Sequence, residues 1–265
     1  MIPLEEVCKK AIETVKEAGK FIKEERLKFN QNAVEWKGTN DLVSYVDVTA
    51  EKILVKGLQE ILPESGFLTE EGTIEQATTD YTWIIDPLDG TTNFIHGLPS
   101  FGVSVGLRFK DEIVLGIVYE PNADECFYAW KGSKAYLNEK EISVTNNKTL
   151  TDCLMATGFP INNHAKIPCY LDIVEHFIKN SRGVRRLGSA AIDLAYVAAG
   201  RFDGFYEYNL KAWDVAGGAF IVRQAGGLVT DFNKGDNWLF GQEIIVANPH
   251  ILDEVQGIVS TNWNK

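Results

Sequence analysis

The run Trp83-Ile84-Ile85-Asp86-Pro87-Leu88-Asp89-Gly90-Thr91-Thr92-Asn93-Phe94 decides how this chain is read. The apolar stretch from Tyr81 to Ile85 reads as a buried strand. Two carboxylates and a Gly-Thr-Thr triplet follow at once. Asp86 then lies where the strand leaves the core, and Pro87 removes a backbone donor and stiffens the turn. Asp89 returns three residues later, a spacing that can bring both carboxylates to one point. Hard cations such as Mg²⁺ take oxygen ligands and few protein side chains, and a carbonyl in the tight turn, such as that of Leu88, can add one more. Gly90, Thr91 and Thr92 supply backbone N–H groups and hydroxyls, and a helix starting there favours a phosphate. The same residues also suit an Asx turn and helix cap.

Two other acidic places lie far away in the chain. Glu70-Glu71 ends a short strand, Gly66-Phe67-Leu68-Thr69. Asp214, in Trp213-Asp214-Val215-Ala216-Gly217-Gly218, stands at the start of a helical pattern as a natural N-cap. A cap does not exclude metal ligation, and the small residues after it let that helix pack closely. His96, His164, His176 and His250 show no paired spacing, so no zinc site is expected. Gly102-Val103-Ser104-Val105-Gly106 matches GxSxG in letters but lies within the alternating strand pattern rather than at a strand-to-helix elbow, and there is no Walker loop. Water activated by metal is the expected nucleophile.

Leu4, Val7, Cys8, Ala11, Ile12, Val15, Ala18, Gly19 and Ile22 repeat at helical spacing and predict a long amphipathic helix after Pro3. A second helical pattern, Ile53 to Leu62, stops at Pro63. From Phe101 to Tyr136 alternating apolar residues predict an antiparallel meander. A polar stretch, residues 144–149, is the candidate junction between halves. Beyond it, helical patterns cover Tyr170–Lys179, Ala190–Ala199, Val215–Gln224 and Pro249–Val259, with short apolar segments such as 227–230 and 244–247 between. The expectation is a layered α/β (α+β) architecture. It is one domain over residues 1–265, with an N-terminal half of about 1–145 and a C-terminal half of about 146–265.

The 265 residues are 45% hydrophobic and 11% aromatic, enough for a large core. With 37 Asp+Glu against 26 Lys+Arg, the net charge of -11 disfavours direct nucleic-acid binding and an anionic membrane partner. An anionic small molecule remains compatible when metal ions invert the local field. Four cysteines without a CxxC pair read as reduced, mostly buried thiols of a cytoplasmic protein. The start lacks a signal-peptide pattern, and no apolar run reaches a membrane span.

The Glu70-Glu71 pair, the full 86–94 run and Trp213 to Gly218 together resemble the inositol monophosphatase family of Mg²⁺-dependent, lithium-sensitive sugar phosphatases. Lys37, Asp41-Leu42-Val43 with Asp47, and Gly188-Ser189-Ala190-Ala191 leading to Glu207 also resemble it. The likeness runs from the first helix to the last. It implies an αβαβα sandwich of the sugar-phosphatase type, a homodimer, and a phosphate monoester substrate, with two or three Mg²⁺ ions per subunit. It implies Glu70, Asp86, the Leu88 carbonyl, Asp89 and Asp214 as metal ligands. Asp47 and Thr91 are expected to form a hydrogen-bonded pair that helps Glu70 prepare the attacking water, although Asp47 also suits a cap of the second helix. The backbone at Gly90 and Thr91 would hold the phosphate. Asp89, Gly188, Ser189, Ala190, Glu207 and Asp214 would line the substrate end, with Glu207 accepting from sugar or inositol hydroxyls.

The expected reaction is in-line hydrolysis without a phosphoenzyme, most of its acceleration carried by metal charge. Inositol-1-phosphate is the first substrate expectation. Fructose-1,6-bisphosphate, phosphoadenosine phosphate or another sugar phosphate is the alternative, and a regulatory scaffold for a macromolecular partner is the alternative of another class. Arg182, Arg185 and Arg186 could attract an anion or sit at a subunit contact, and a contact or plain solvation is favoured because a metal site already handles the phosphate.

Overall fold

The computed structural model describes residues 2–28, 38–77, 79–159 and 164–264, without the side chains of residues 38–44. The expectations on Lys37 and on Asp41-Leu42-Val43 lie outside the described residues.

Helix α1 (Leu4–Lys28) buries the same nine residues whose spacing predicts it. Helix α2 (Gly38–Ile61) packs beside it and begins well before the apolar pattern at Ile53. Together they cover one face of a seven-stranded sheet. Its strands are β1 (Gly66–Thr69), β2 (Tyr81–Asp89), β3 (Gly102–Phe109), β4 (Glu112–Glu120), β5 (Glu125–Trp130), β6 (Ala135–Leu137) and β7 (Lys140–Ile142). They lie in that order, with β1 parallel to β2 and every later neighbour antiparallel, so the expected meander is present.

The second sheet has the order β11 (Leu228–Thr230), β12 (Glu243–Ala247), β10 (Gly204–Tyr208), β8 (Leu154–Thr157) and β9 (Gly183–Arg185). Helices α5 (Ala190–Ala198) and α6 (Ala212–Gln224) lie between the two sheets. Helices α4 (Ile167–Asn180) and α7 (Leu252–Trp263) cover the far face of the second. The layers therefore run α, β, α, β, α, with one apolar cluster under α1 and α2, one around the central helices and one under α4 and α7. Among the described residues no helix is long and apolar enough to cross a membrane.

Burial on both faces explains the strand composition. In β3, Val103, Val105 and Leu107 pack toward α1 and α2. The residues between them are small because α6 presses on that side: Gly106 lies against Ala216, Gly116 of β4 against Gly217, and the Ser104 hydroxyl donates to the Trp213 carbonyl at 3.1 Å. A polar or small alternate residue here marks close helix packing rather than solvent. This contact brings the first turn of α6 over the ends of β2 and β3.

Candidate active site

Strand β2 does not stop at Ile85. It runs through Pro87 to Asp89, with a register break between Asp86, opposite Ser104, and Asp89, opposite Gly102. Without the break, Leu88 would share the face of Ile84 and Asp86. Instead Leu88 packs with Trp83 and Ile85 in the cluster under α1 and α2, while Ile84 belongs to the cluster under α6. The bulge therefore turns Asp89 back to the side of Asp86. Pro87 is tolerated because a bulge leaves its missing N–H unneeded. Gly90 follows at φ 94, and a Cβ there would meet the Ser100 carbonyl oxygen at 2.8 Å, so glycine is required. Helix α3 (Thr91–His96) starts directly after it.

One cavity of about 300 Å³ opens over this turn. Glu70, Asp86, Leu88, Asp89, Gly90, Thr91, Gly188, Ser189, Ala190, Glu207 and Asp214 all line it, so it gathers every expected site residue except Asp47. Asp86 is 2% exposed and stands in hydrogen-bonding contact with Glu70 on one side and Asp214 on the other. Its Oδ1 also accepts from the Leu88 amide at 2.9 Å. Asp89 Oδ2 accepts from the Ser189 hydroxyl at 2.7 Å and from the Ala191 amide at 2.6 Å, at the start of α5. The Asn93 side chain donates to the Leu187 carbonyl at 2.8 Å, tying the β2 turn to the loop that floors the cavity.

Asp214 is not the N-cap of α6. Lys211 holds that place, and Asp214, in the first turn, accepts from the Lys211 amide at 2.7 Å. The helix begins before the apolar pattern because Ala212 and Trp213 are already helical, which moves Asp214 inward. Asp47 caps nothing either, since it lies inside α2 and is 6% exposed. It does not bond Thr91: that hydroxyl donates to the Leu88 carbonyl at 3.0 Å, and no hydrogen bond joins it to Asp47 among the described residues.

Burial pushes every pocket acid upward, and neighbouring charges add to it. Burial, helped by Asp89 and Glu71, carries Glu70 to about 7 even though the residue sits at the rim. Burial and the Asp214 charge take Asp89 to about 7 against the pull of its Ser189 and Ala191 bonds. Asp214 reaches about 6, held back by the Lys211 amide. Asp86 goes well above the usual range, through burial and then through Glu70, Asp89 and Asp214. Behind them, burial and the charges of Glu71, Glu70 and Glu51 carry Asp47 to about 8.

These acids are negative charge waiting for compensation, and their donor atoms are all oxygen, which fits a hard divalent cation. Among the described residues, no three His, Cys, Asp or Glu side chains already stand arranged to hold an ion. The carboxyls touch one another instead, and an ion would have to separate them. On donor chemistry the residues fit Mg²⁺. The Leu88 carbonyl, oriented by Thr91, keeps a second lone pair for it.

Three contributors escape sequence reading. Glu51, fully buried in α2, accepts from the Thr69 hydroxyl at 2.9 Å, the Glu71 amide at 2.8 Å and the Thr73 amide at 2.7 Å, and so pins the loop that carries Glu70. Only its place four residues after Asp47, on one helix face, hints at this. Asp193 of α5 is 1% exposed with neither carboxyl oxygen hydrogen-bonded, and burial, then Glu207 and Asp89, drive it well upward. Arg186 is exposed, as a solvated residue would be, and it also lines the cavity.

Replacing Glu51 with Ala strands three donors around one buried space. The expected cost is about 3 kcal/mol in chemical denaturation, with a weaker response to Mg²⁺ because Glu70 is released. Glu51→Gln keeps one acceptor oxygen and should lose less. Unchanged midpoints in both variants would remove Glu51 from the site.

Glu207 of β10, which also lines the cavity, is 9% exposed, and its carboxyl group lies against Gly158, where any Cβ would collide with it. Burial, then the charges of Asp89 and Asp214, push it up to about 8, opposed by Arg186.

Comparison with known proteins follows the same lines. A family model described as "Inositol monophosphatase family" matches residues 3–263. A protein of Neisseria meningitidis serogroup B named putative Nus factor SuhB is 44% identical over 227 residues, which is 85% of this chain and 87% of that protein. A Rhizobium meliloti protein named inositol-1-monophosphatase is 41% identical over 252 residues, 94% of each. The crystal structure of the extragenic suppressor protein suhB from Bartonella henselae superposes with a TM-score of 0.86 at 39% identity, covering 96% of this chain and 98% of that one.

Proposed function

We propose that this chain, which belongs to the inositol monophosphatase family, is a Mg²⁺-dependent phosphatase that hydrolyses a polyol monophosphate, with inositol-1-phosphate as the leading substrate. The observation that carries this reading is the convergence of Glu70, Asp86, Asp89 and Asp214 on one cavity that Glu207 also lines.

In this reading Glu70, Asp86, the Leu88 carbonyl, Asp89 and Asp214 hold two or three Mg²⁺ ions. Magnesium, when bound, supplies a lowered pKa for water and neutralises charge on the leaving oxygen. The chain's own groups do the rest. Amides at Gly90 and Thr91 hold the phosphate oxygens. Thr91 fixes the Leu88 carbonyl, and Asp47 acts from behind Glu70, the group placed to take the proton of the attacking water. Ser189 and the α5 N-terminus fix Asp89, while Gly188, Ser189 and Ala190 floor the substrate beside Glu207. In its ionised form Glu207 repels a second phosphate and favours monophosphates. The family resemblance further supports one domain over 1–265, a cytoplasmic setting and a homodimer.

A phosphate-release panel tests the reading. Purified protein with Mg²⁺ should give its highest kcat/KM on myo-inositol-1-phosphate, ahead of fructose-1,6-bisphosphate and phosphoadenosine phosphate, and lithium should inhibit it. The absence of Mg²⁺-dependent release from every ester would end the proposal. The Nus-factor name of the Neisseria relative favours a second reading, in which the protein also engages a macromolecular partner. Retention of such a partner by an inactive Asp89→Asn variant would separate that role from hydrolysis.

A further inference from the structure

The cavity also holds a donor and an acceptor that the protein leaves unused. Glu207 accepts no hydrogen bond among the described residues, yet it lines the cavity. Arg186, in the loop between β9 and α5, lines the same cavity, and its charge acts on Glu207. Its guanidinium carbon lies 5.9 Å from the centre of the Phe159 ring, within reach of a cation–π contact. Among the described residues the guanidinium donates to no acceptor and forms no ion pair. Five N–H donors and two carboxyl oxygens without protein partners thus line one cavity.

Unused polar groups of opposite kind, placed together, describe their ligand. A lone anion would satisfy the arginine and be repelled by the glutamate. A lone cation would do the reverse. A hydroxyl both donates and accepts, and two neighbouring hydroxyls on a ring can engage both side chains together. We propose that Arg186 works with Glu207 as a donor–acceptor pair for adjacent hydroxyls of a polyol monophosphate, which makes Arg186 a specificity-determining residue. This assignment rests on the phosphatase reading above.

The charge of Arg186 also opposes the burial of both Glu207 and the unbonded Asp193, so it helps keep an acceptor carboxylate in the cavity. Lysine would retain the charge without the planar fork.

The test compares wild type, Arg186→Ala and Arg186→Lys on three esters with Mg²⁺: myo-inositol-1-phosphate, fructose-1,6-bisphosphate and p-nitrophenyl phosphate, which has no hydroxyl to recognise. Arg186 is exposed, so neither variant threatens folding. Arg186→Ala should raise KM for the inositol ester about tenfold with kcat within about twofold, the scale of one charged hydrogen bond. Its kcat/KM on the aryl ester should move less than about threefold, and Arg186→Lys should fall between wild type and Ala. An equal loss on all three esters makes Arg186 a general anion guide and overturns the assignment. So does a loss confined to the bisphosphate, which would mark a second-phosphate site, and so does no change at all. Should wild type hydrolyse none of the three, the phosphatase reading fails separately. The comparison is then made as a calorimetric Kd for myo-inositol-1-phosphate, where a loss below about threefold in Arg186→Ala overturns the pair and a larger one supports it.

Discussion

Asp214→Asn and Asp89→Asn should each lower Mg²⁺-dependent turnover by about a thousandfold or more, equivalent to about 4 kcal/mol of barrier, while the fold survives. Both substitutions keep the oxygen that takes the structural bonds. In Asp214→Asn the new amide oxygen can still accept from the Lys211 N–H, which Asp214 now holds at 2.7 Å. In Asp89→Asn it can still accept from Ser189 and Ala191. Each substitution removes one unit of negative charge from a cavity whose chemistry depends on attracting a dication. The loss should appear as weaker Mg²⁺ activation and lower kcat, with a far-ultraviolet spectrum like that of wild type. Near-normal turnover at limiting Mg²⁺ in either variant would strike that residue from the ligand set.

The metal-free protein should lose stability as pH rises from about 5 to 8, and Mg²⁺ should restore it. In the folded chain Glu70 and Asp89 sit at about 7, Asp214 at about 6 and Glu207 at about 8, all above the ordinary carboxylate range. A carboxyl raised on folding binds its proton more tightly in the native state. Its stabilising contribution is complete below about 4 and fades as pH climbs through the folded value. The fading window is therefore pH 5 to 8, set by crowded negative charge. A bound dication removes the crowding, but at pH 5 it must first displace protons. At a Mg²⁺ concentration a hundred times Kd, one site contributes about 2.7 kcal/mol, or about 5–10 °C in Tm for a chain of this size. That rise is expected at pH 8 and should shrink markedly at pH 5. A metal-free Tm that does not fall across this range, or an equal Mg²⁺ shift at both ends, would contradict the charge arrangement. Asp89→Asn should make the metal-free protein more stable at pH 8, because it deletes one of the repelling charges.

How much of this is legible in the sequence differs by residue. Helix α1 can be read almost residue by residue, since a long period of 3.6 with one apolar face leaves few alternatives. The meander of β3 to β6 is equally plain. Strand β2 reads as ending at Ile85 because proline and two acids look like the end of a strand, whereas a bulge lets the strand carry them. The N-terminus of α6 reads as starting too late because Asp at a helix start suggests a cap, and here it bonds back from within the first turn. Strands β8, β9 and β10 are three to five residues long, too short to announce themselves against neighbouring helices.

The chain by itself determined the kinds of atoms at the site: oxygen donors in separated runs, a glycine where the backbone turns left-handed, and apolar periods that set which faces are buried. Those are local properties, carried by residue type and spacing. Only the tertiary structure decided which groups meet. Gly116 and Gly217 let α6 press onto the first sheet, so Asp214 reaches Asp86 from far along the chain. The bulge in β2 turned Asp89 to the same side, buried Glu51 pinned the Glu70 loop, and the β9–α5 loop delivered Arg186 to the cavity that Glu207 lines. Proximity between distant residues depends on how packed layers register, and no short stretch of sequence contains that information.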